Sequence, residues 1–221
     1  MTTTRWWWIR HAPVVGHGGR IYGQDDFACD CSDAATFAAL AARLPRDPVW
    51  VVTNLQRTRL TAEAILAHRP PPAPCFLVEQ ALAEQHFGAW QGLTNEEVAA
   101  HDSGAWHRFW LAPAEHAAPG GESFVAVVER VSDAVLRLSE SHAGRDIVAV
   151  AHGGTIRAAL ALALGLAPDQ ALSFSINNCA VTRIDHILGP AGSHDPEGEA
   201  AWRVAFVNHL VAGRQEDDMK W

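Results

Sequence analysis

The sequence predicts an α/β fold, a three-layer α/β/α sandwich with a mostly parallel central sheet. Two kinds of segment alternate along its 221 residues. Short apolar runs rich in Val, Ile and Trp alternate with Ala-rich runs whose apolar residues lie three or four apart. Such alternation is typical of a parallel sheet covered by helices on both faces. Because the apolar runs are continuous, their strands are expected to be buried on both sides.

The predicted elements follow one another in a regular order. Six apolar runs predict strands, at 5–11, 48–54, 75–80, 146–154, 180–187 and 202–210. Four stretches with helical spacing predict helices, at 33–44, 58–69, 122–142 and 154–166. The polar segment 189–199 predicts an exposed loop between the last two strands, and residues 212–221 predict a mobile tail. The length suits a single domain, residues 1–221.

The composition narrows the class of partner. A formal net charge of −8 argues against a nucleic-acid binder, because such proteins carry a basic face. The four cysteines form neither a disulfide framework nor a paired C-x-x-C zinc signature. No apolar stretch is long enough to span a bilayer, and the N-terminal run is too short for a signal peptide. We therefore expect a cytoplasmic protein that binds neither nucleic acid nor a membrane.

Polar residues stand where several predicted strands end. One strand ends in "RHA", another ends in "AHGG" directly before a helix, a third is followed by a helix with an arginine in its first turn, and a glutamate precedes the turn "HFGAWQG". Each of these residues alone could simply mark where a strand surfaces. Because the carboxyl ends of parallel strands open into one crevice, the joint pattern predicts a common site. Its members are Arg10, His11, Arg57, Glu84 and His152.

Five motifs carry a resemblance to a known family. In order and spacing, "RHA", "TNLQRTRLTAEAI", "LAEQHFGAWQG", "PGGESF" and "VAHGG" resemble the histidine phosphatase superfamily, in the branch that includes cofactor-dependent phosphoglycerate mutases. The resemblance extends from Arg5 to about Leu210 and implies a small helical cap, here the short insertion 92–120. The leading motif departs from the family pattern, because Ala12 replaces a glycine and His17 replaces a phosphate-contacting asparagine.

The resemblance implies a metal-independent phosphomonoesterase that forms a phosphohistidine and needs no cofactor. His11 would be the nucleophile, and Glu84 would be the general acid and then the base. The implied catalytic set is completed by Arg10, Arg57 and His152, which would hold the phosphoryl group. The substrate-binding candidates are Arg10, His17, Gln24, Arg57, His152 and Gly153. Two fixed guanidiniums can neutralise the equatorial phosphoryl oxygens bidentately without a metal ion.

The short cap and the stretch "GRIYGQDD" at 19–26 are most similar to α-ribazole phosphatases of cobalamin biosynthesis and their broad-specificity relatives. The expected substrate is therefore a small phosphorylated metabolite, with α-ribazole 5′-phosphate as one candidate. Four aromatic residues of the cap region would form either a wall for a substrate ring or the core of the cap. They are Trp90, Trp106, Phe109 and Trp110.

Three other functions stay open at this point. The first is a phosphoglycerate mutase, and the second is a silent relative that binds phosphoproteins without catalysis. The third is a metal hydrolase that uses the histidines of the cap region, although their spacing lacks a convincing ligand set. Those histidines are His86, His101, His107 and His116. The oligomeric state is also open, with a homodimer as one option.

Overall fold

The structure, a computed structural model, describes residues 1–189 and 200–211. The predicted loop, apart from Gly189, and the predicted tail lie outside these residues. Six strands form one sheet: β1 (Thr2–Arg10), β2 (Val49–Val52), β3 (Phe76–Val78), β4 (Asp146–Ala151), β5 (Val181–Leu188) and β6 (Ala201–His209). Their order across the sheet is β3-β2-β4-β1-β5-β6.

The first four strands of that order are parallel to one another, and β5 and β6 are antiparallel additions at one edge. The predicted α/β fold with a mostly parallel sheet is confirmed. The antiparallel pairing of β5 with β1 places Val181 opposite Ile9 and Leu188 opposite Thr2. The end of β5 therefore lies beside the start of β1.

Six helices accompany the sheet in the described part of the chain. They are α1 (Ala34–Arg43), α2 (Gln56–Leu66), α3 (Asn95–His101), α4 (Phe124–Ser141), α5 (Gly153–Leu164) and α6 (Pro168–Ala171). Helices α1 and α2 bury Phe37, Leu40 and Ile65 in one core, whereas α4 and α5 bury Val131 and Ile156 in another. The sheet lies between these two cores, which gives the three predicted layers.

Local chemistry explains where the helices begin. The side chain of Asp33 caps α1 by accepting from Thr36 N at 3.1 Å, and Ser123 caps α4 in the same way. Helix α2 begins at Gln56, two residues before its predicted start. The reason is a long-range contact, because Asp26 Oδ1 accepts from Gln56 N at 2.7 Å and satisfies a free N–H of the first turn.

The three consecutive tryptophans of β1 alternate between the two faces of the sheet. Trp6 and Trp8 stack on each other with ring centroids 4.9 Å apart on the α4 side, where Trp6 Nε1 donates to Ser139 Oγ at 2.9 Å. Trp7 points to the opposite side and donates to Asp146 Oδ1 at 3.0 Å. An uninterrupted apolar run thus covers both faces of a central strand.

The segment 92–120 contains one helix, α3, and otherwise turns. A capping box starts this helix, since Thr94 accepts from Glu97 N while the Glu97 side chain accepts from Thr94 N. The segment packs on Ile21 and Phe87, which lie outside it in sequence. Its status as a cap inserted into one domain of residues 1–221 stays a prediction. In the described ranges, none of the helices has the length and apolarity needed to cross a membrane.

Candidate active site

The pairing of β1 with β4 brings two histidines together. These strands are parallel neighbours, and Arg10 lies opposite Ala151. The residue that follows each of them, His11 or His152, is therefore displayed at the same edge of the sheet, and the two ring centroids are 5.2 Å apart. This register brings the carboxyl ends of β1 and β4 side by side, as the sequence pattern predicts.

His11 is completely buried. Its Nδ1 lies 2.7 Å from Ala12 O, and because a carbonyl oxygen can only accept, Nδ1 carries the proton. Nε2 is buried without a hydrogen-bond partner. Burial, followed by the charges of Arg10 and Arg57, holds the pKa of His11 well below its ordinary value of 6.5. The imidazole is therefore neutral at pH 7, with an unshared electron pair on Nε2.

Ala12 fits its position without backbone strain. Among the described residues, only Cys179 and Asn208 combine a side chain with positive φ, so the turn at Ala12 does not require glycine. Its N–H donates to Thr61 Oγ1 at 2.9 Å. This N–H is consequently engaged within the protein.

Two arginines lie on either side of the histidine pair. Arg57 is fully buried, and its Nη1 and Nη2 donate to Asp25 O and Gly23 O at 2.9 and 2.6 Å. Arg10 Nη1 donates to Ile176 O at 2.5 Å. The Nε atoms of both arginines are buried without a partner, and neither arginine joins an ion pair within the described residues. Both positive charges are thus fixed in place without a directly paired carboxylate in the described ranges, although the charge of Glu84 acts on Arg57.

His152 stands at the N-cap of α5 and is also completely buried. Its Nε2 lies 3.0 Å from Thr53 Oγ1, and Nδ1 has no partner. Thr53 Oγ1 accepts from Leu55 N at 3.2 Å, and its hydroxyl proton has two acceptors within reach, His152 Nε2 and Thr58 Oγ1. Donation to His152 Nε2 places the His152 proton on Nδ1. Burial, reinforced by Arg57, holds the pKa of His152 well below 6.5.

Glu84 approaches the first turn of α5. Its Oε1 accepts from Gly154 N at 3.2 Å and from Gln85 N at 3.0 Å, and the side chain is 8% exposed. A Cβ on Gly154 would collide with Oε1, so the absence of a side chain permits this approach. The preceding Gly153 lines the same space beside Arg10.

Gln24 and His17 make their hydrogen bonds within the protein. Gln24 Nε2 donates to Glu84 O at 2.8 Å and so fixes the backbone of the glutamate. His17 Nδ1 lies 3.2 Å from Arg20 O, and its ring packs edge-on against Tyr22. Neither side chain lines the cavity of the site. Substrate binding by these two residues stays a prediction.

Several supporting residues were not identified from the sequence. Thr53 holds His152, Thr61 holds the turn after His11, and Asn178 Nδ2 donates to His11 O at 2.7 Å. Thr53 stands at a strand end, where a polar residue is a usable signal. No sequence signal connects Asn178 with a residue 167 positions earlier.

An ion pair beneath Glu84 was also missed. Arg130 Nη2 donates to Glu122 Oε1 at 2.8 Å and to Glu84 O at 3.1 Å, and its Nη1 donates to Ala81 O and Ala83 O. Glu122 belongs to the motif "PGGESF", and Arg130 follows about two helical turns later. That spacing is enough to predict the ion pair between Glu122 and Arg130, which fixes the backbone before Glu84.

A cavity of about 450 Å³ opens beside these residues. Arg10, Glu84 and Gly153 line one side, and the cap residues 108–111 line the other. The two interpretations of the cap aromatics therefore each hold in part. Phe109 and Trp110 line the cavity, Trp90 is buried in the cap and stacks on His116 at 5.7 Å, and Trp106 is 71% exposed.

The histidines and cysteines outside the site do not gather into metal-binding groups. Within residues 1–189 and 200–211, no cluster of three or more His, Cys, Asp or Glu side chains could hold a metal ion. His116 instead pairs with Asp102 at 2.9 Å. Cys29 Sγ lies 3.6 Å from Cys31 Sγ. The described part of the chain gives the metal-hydrolase alternative no support.

The sequence profile of the Histidine phosphatase superfamily (branch 1) matches residues 6–189. The chain belongs to the histidine phosphatase superfamily. The match includes all of the residues of the site, and it agrees with the family that the five sequence motifs resemble.

Curated relatives of this histidine phosphatase carry more specific names. A glucosyl-3-phosphoglycerate phosphatase of Mycolicibacterium vanbaalenii is 36% identical over 73% of this chain and 75% of its own length. A metal-independent phosphoserine phosphatase of Arabidopsis thaliana is 31% identical over 68% and 64% of the two chains. A 2,3-bisphosphoglycerate-dependent phosphoglycerate mutase of Gloeobacter violaceus is 32% identical over 62% and 64%.

A solved structure of a putative α-ribazole-5′-phosphate phosphatase from Escherichia coli superposes with a TM-score of 0.72. It covers 96% of this chain and 99% of its own, at 23% identity, and this likeness shows the shared fold. Together with the named phosphatases, the family membership makes this histidine phosphatase an enzyme that hydrolyses phosphoric monoesters.

Proposed function

We propose that this histidine phosphatase removes the phosphoryl group of a small phosphorylated metabolite through a phosphohistidine on His11, without a metal ion. The observation that carries the proposal is the state of His11. It is a neutral imidazole with its proton fixed on Nδ1, and its free Nε2 lies among two unpaired guanidiniums and His152. A buried, neutral, oriented imidazole is suited to nucleophilic attack.

In the first step, His11 Nε2 attacks phosphorus and the bond from phosphorus to the ester oxygen breaks. Glu84, in its protonated form, gives its proton to the departing oxygen, so the product leaves as an alcohol. Arg10, Arg57 and the Nδ1–H of His152 bind the equatorial oxygens, whose charge they neutralise in the transition state.

In the second step, water attacks the phosphohistidine. Glu84, now a carboxylate, takes a proton from the water while the bond between phosphorus and His11 Nε2 breaks. Inorganic phosphate leaves, and His11 returns to its neutral state with Nδ1 still donating to Ala12 O. One group serves as acid and then as base, because the two steps place oxygen on the same side of phosphorus.

Three substrates are candidates for this site. Glucosyl-3-phosphoglycerate and phosphoserine are suggested by the names of the curated relatives, and α-ribazole 5′-phosphate is suggested by the sequence stretch 19–26 and the structural neighbour. The cavity of about 450 Å³ suits a small metabolite better than a folded phosphoprotein. Cytoplasmic location, a free metabolite as the only partner, and the homodimer option stay predictions.

The mutase is the second candidate function, because one relative carries that name. A mutase must keep its phosphohistidine away from water until a second substrate arrives. The segment 92–120 covers the site with a single short helix, which favours hydrolysis. Analysis of the products formed from 3-phosphoglycerate and bisphosphoglycerate separates the two reactions, since a mutase yields 2-phosphoglycerate and a phosphatase yields inorganic phosphate.

The proposed function is tested by trapping the intermediate. After a pulse of ³²P-labelled ester, we expect label on the wild-type protein that is lost in acid and retained in base, and no label on His11→Asn. Circular dichroism of the variant checks that it is folded. Activity should survive EDTA, because Arg10 and Arg57 supply the positive charge and His152 contributes a neutral hydrogen-bond donor. Label on another residue, or activity that EDTA removes and Mg²⁺ or Zn²⁺ restores, would contradict the proposal.

A further inference from the structure

A third arginine lies at the site, and the reaction described above does not use it. Arg157 stands in the second turn of α5, five residues after His152, and its side chain is 7% exposed. Its Nε donates to Phe174 O at 2.8 Å, and its guanidinium lies over the ring of Trp110 at 4.6 Å. These two contacts fix both the position and the plane of the guanidinium.

The outer nitrogens of Arg157 have no acceptor among the described residues. Only Nε is hydrogen-bonded, no carboxylate forms an ion pair with this arginine in the described ranges, and the side chain lines the cavity. Burial, with a further contribution from Arg10 and opposed by the charge of Glu84, lowers the pKa of Arg157 to about 10, so it stays charged at neutral pH. A buried charge that no carboxylate hydrogen-bonds is costly, which indicates that an anion completes this position.

Arg157 lies close to both the phosphoryl site and the proposed proton donor. A Cβ built on Gly153 would be 3.1 Å from Arg157 Nη1 and 3.6 Å from Arg10 Nε, so the two side chains converge on one point. On the other side, a Cβ on Gly154 would meet both Glu84 Oε1 and Trp110. Arg157 is thus adjacent to the glutamate that faces the ester oxygen, on the wall where the leaving group must lie.

We propose that Arg157 binds a carboxylate of the leaving group, and that the substrates of this enzyme are phosphate esters of hydroxy acids. This inference rests on the proposed function, because it assigns Glu84 to the leaving oxygen. With Nε occupied by Phe174 O, the two outer nitrogens can each donate to a carboxylate oxygen in the plane that Trp110 fixes.

The guanidiniums that line the cavity are those of Arg10, Arg108 and Arg157, whereas Arg57 is fully buried. Arg157 is the one of the three that is both buried and held in a fixed plane, so it is suited to a planar carboxylate with two oxygens. An ester whose leaving group is uncharged, such as α-ribazole 5′-phosphate, would leave Arg157 without an anion.

The test compares esters that differ only at the carboxylate. The pairs are 3-phosphoglycerate with glycerol 3-phosphate, and phosphoserine with phosphoethanolamine. We expect the wild type to favour the carboxylate member of each pair in kcat/KM, and Arg157→Gln to reduce that ratio on the order of 10²-fold. Arg157→Lys should retain part of the preference, because it keeps the charge and loses the two-pronged geometry. Where an ester is not turned over, the two members of its pair are compared by their inhibition constants against p-nitrophenyl phosphate hydrolysis.

The matched control is Arg108→Gln, because Arg108 lines the same cavity but is exposed and forms no hydrogen bond or ion pair among the described residues. Inhibition of Arg157→Gln by inorganic phosphate reports whether its phosphoryl site is intact. The proposal would be overturned if the wild type showed no preference for the carboxylate ester, or if Arg157→Gln kept the wild-type preference. It would also be overturned if the preference were lost in Arg108→Gln instead. A wild type that forms no phosphohistidine with any ester would instead refute the proposed function, so the two failures are distinguishable.

Discussion

His11 and His152 are held neutral by the same surroundings but are oriented by different partners. The proton of His11 is fixed by its neighbour Ala12, whereas the proton of His152 depends on the hydroxyl of Thr53, from another strand. The two rings therefore present different atoms to a ligand, an electron pair on one and an N–H on the other. This difference allows one histidine to attack phosphorus while the other stabilises its oxygens.

The role of Glu84 is tested by changing the leaving group. Glu84→Gln keeps the size of the side chain and removes the titratable proton. We expect kcat to fall on the order of 10²–10⁴-fold with an alkyl phosphate, the usual range for general acid catalysis. The phosphorylation step should fall much less with p-nitrophenyl phosphate, whose phenolate leaves without a proton, and a burst of nitrophenolate should precede slow turnover.

The matched control for this prediction is Glu129→Gln, an exposed glutamate of α4 outside the site. It should behave as the wild type with both esters. Rapid-mixing measurements of the first turnover give the comparison. Equal losses with the two esters would show that Glu84 positions the substrate and does not supply the proton.

The sequence could predict the residues of the site better than their partners. Arg10, His11 and His152 follow apolar strands, and that position is visible in a linear pattern. The partners could not be predicted in this way, because Asn178 and Arg157 reach the site through loop and helix geometry that depends on the packing of the whole sheet.

At the scale of elements, the turn between β2 and α2 acts as a support for the site. Thr53 N donates to Thr58 Oγ1 at 3.1 Å, and Thr58 Oγ1 also donates to Leu55 O at 2.9 Å. This small hydroxyl network fixes the turn at the same place where α2 presents Arg57. The turn thereby couples the orientation of His152 to the position of an arginine from another element.

Removing one hydroxyl from this network should weaken phosphate binding. Thr53→Val keeps the shape of the side chain but leaves His152 Nε2 without its donor, which frees the ring to take the wrong tautomer. We expect the inhibition constant for inorganic phosphate to rise about tenfold, which is the effect of losing one hydrogen bond. Thr53→Ser restores the hydroxyl and should bind phosphate like the wild type. If serine and valine gave the same loss, the methyl packing of Thr53 would be responsible instead.

The element order was largely predictable, because hydrophobic period identifies buried strands and helices. Six strands and four helices were expected, and all of them are present at nearly those positions. The direction of β5 was not predictable from its own residues, since a buried strand reads the same in a parallel and an antiparallel pair. Helices α3 and α6 are too short to show a clear period.

For the molecule as a whole, the buried histidines should make stability depend on pH. The pKa values of His11 and His152 are lowered in the folded state, whereas an unfolded chain restores them to about 6.5. Below pH 6.5 the unfolded state therefore binds protons that the native state does not, and the free energy of unfolding falls as pH falls. Each histidine contributes up to about 1.4 kcal/mol per pH unit in that range.

Urea denaturation at pH 7, 6 and 5 measures this dependence. His152→Gln should show a shallower loss of stability between pH 6.5 and 5, by about 1 kcal/mol per pH unit. The pKa of His186 is lowered in the same direction by burial, and its contribution cancels in the comparison with the wild type. His101→Gln, at the exposed end of α3, is the control and should keep the wild-type slope. A His152→Gln slope equal to that of the wild type would contradict the prediction.

The antiparallel pairing of β5 with β1 has a consequence for surface attachment and biosensing. Because Leu188 pairs with Thr2 and Ala201 pairs with Ile187, the chain leaves and re-enters the sheet at the amino end of β1. Arg10 is eight residues farther along that strand, roughly 26 Å away at about 3.3 Å per residue. A cysteine or affinity tag grafted between residues 189 and 200 would tether the enzyme with its crevice facing the solution. The enzyme attached in this way to an electrode or a bead should therefore retain the turnover number that it has in solution.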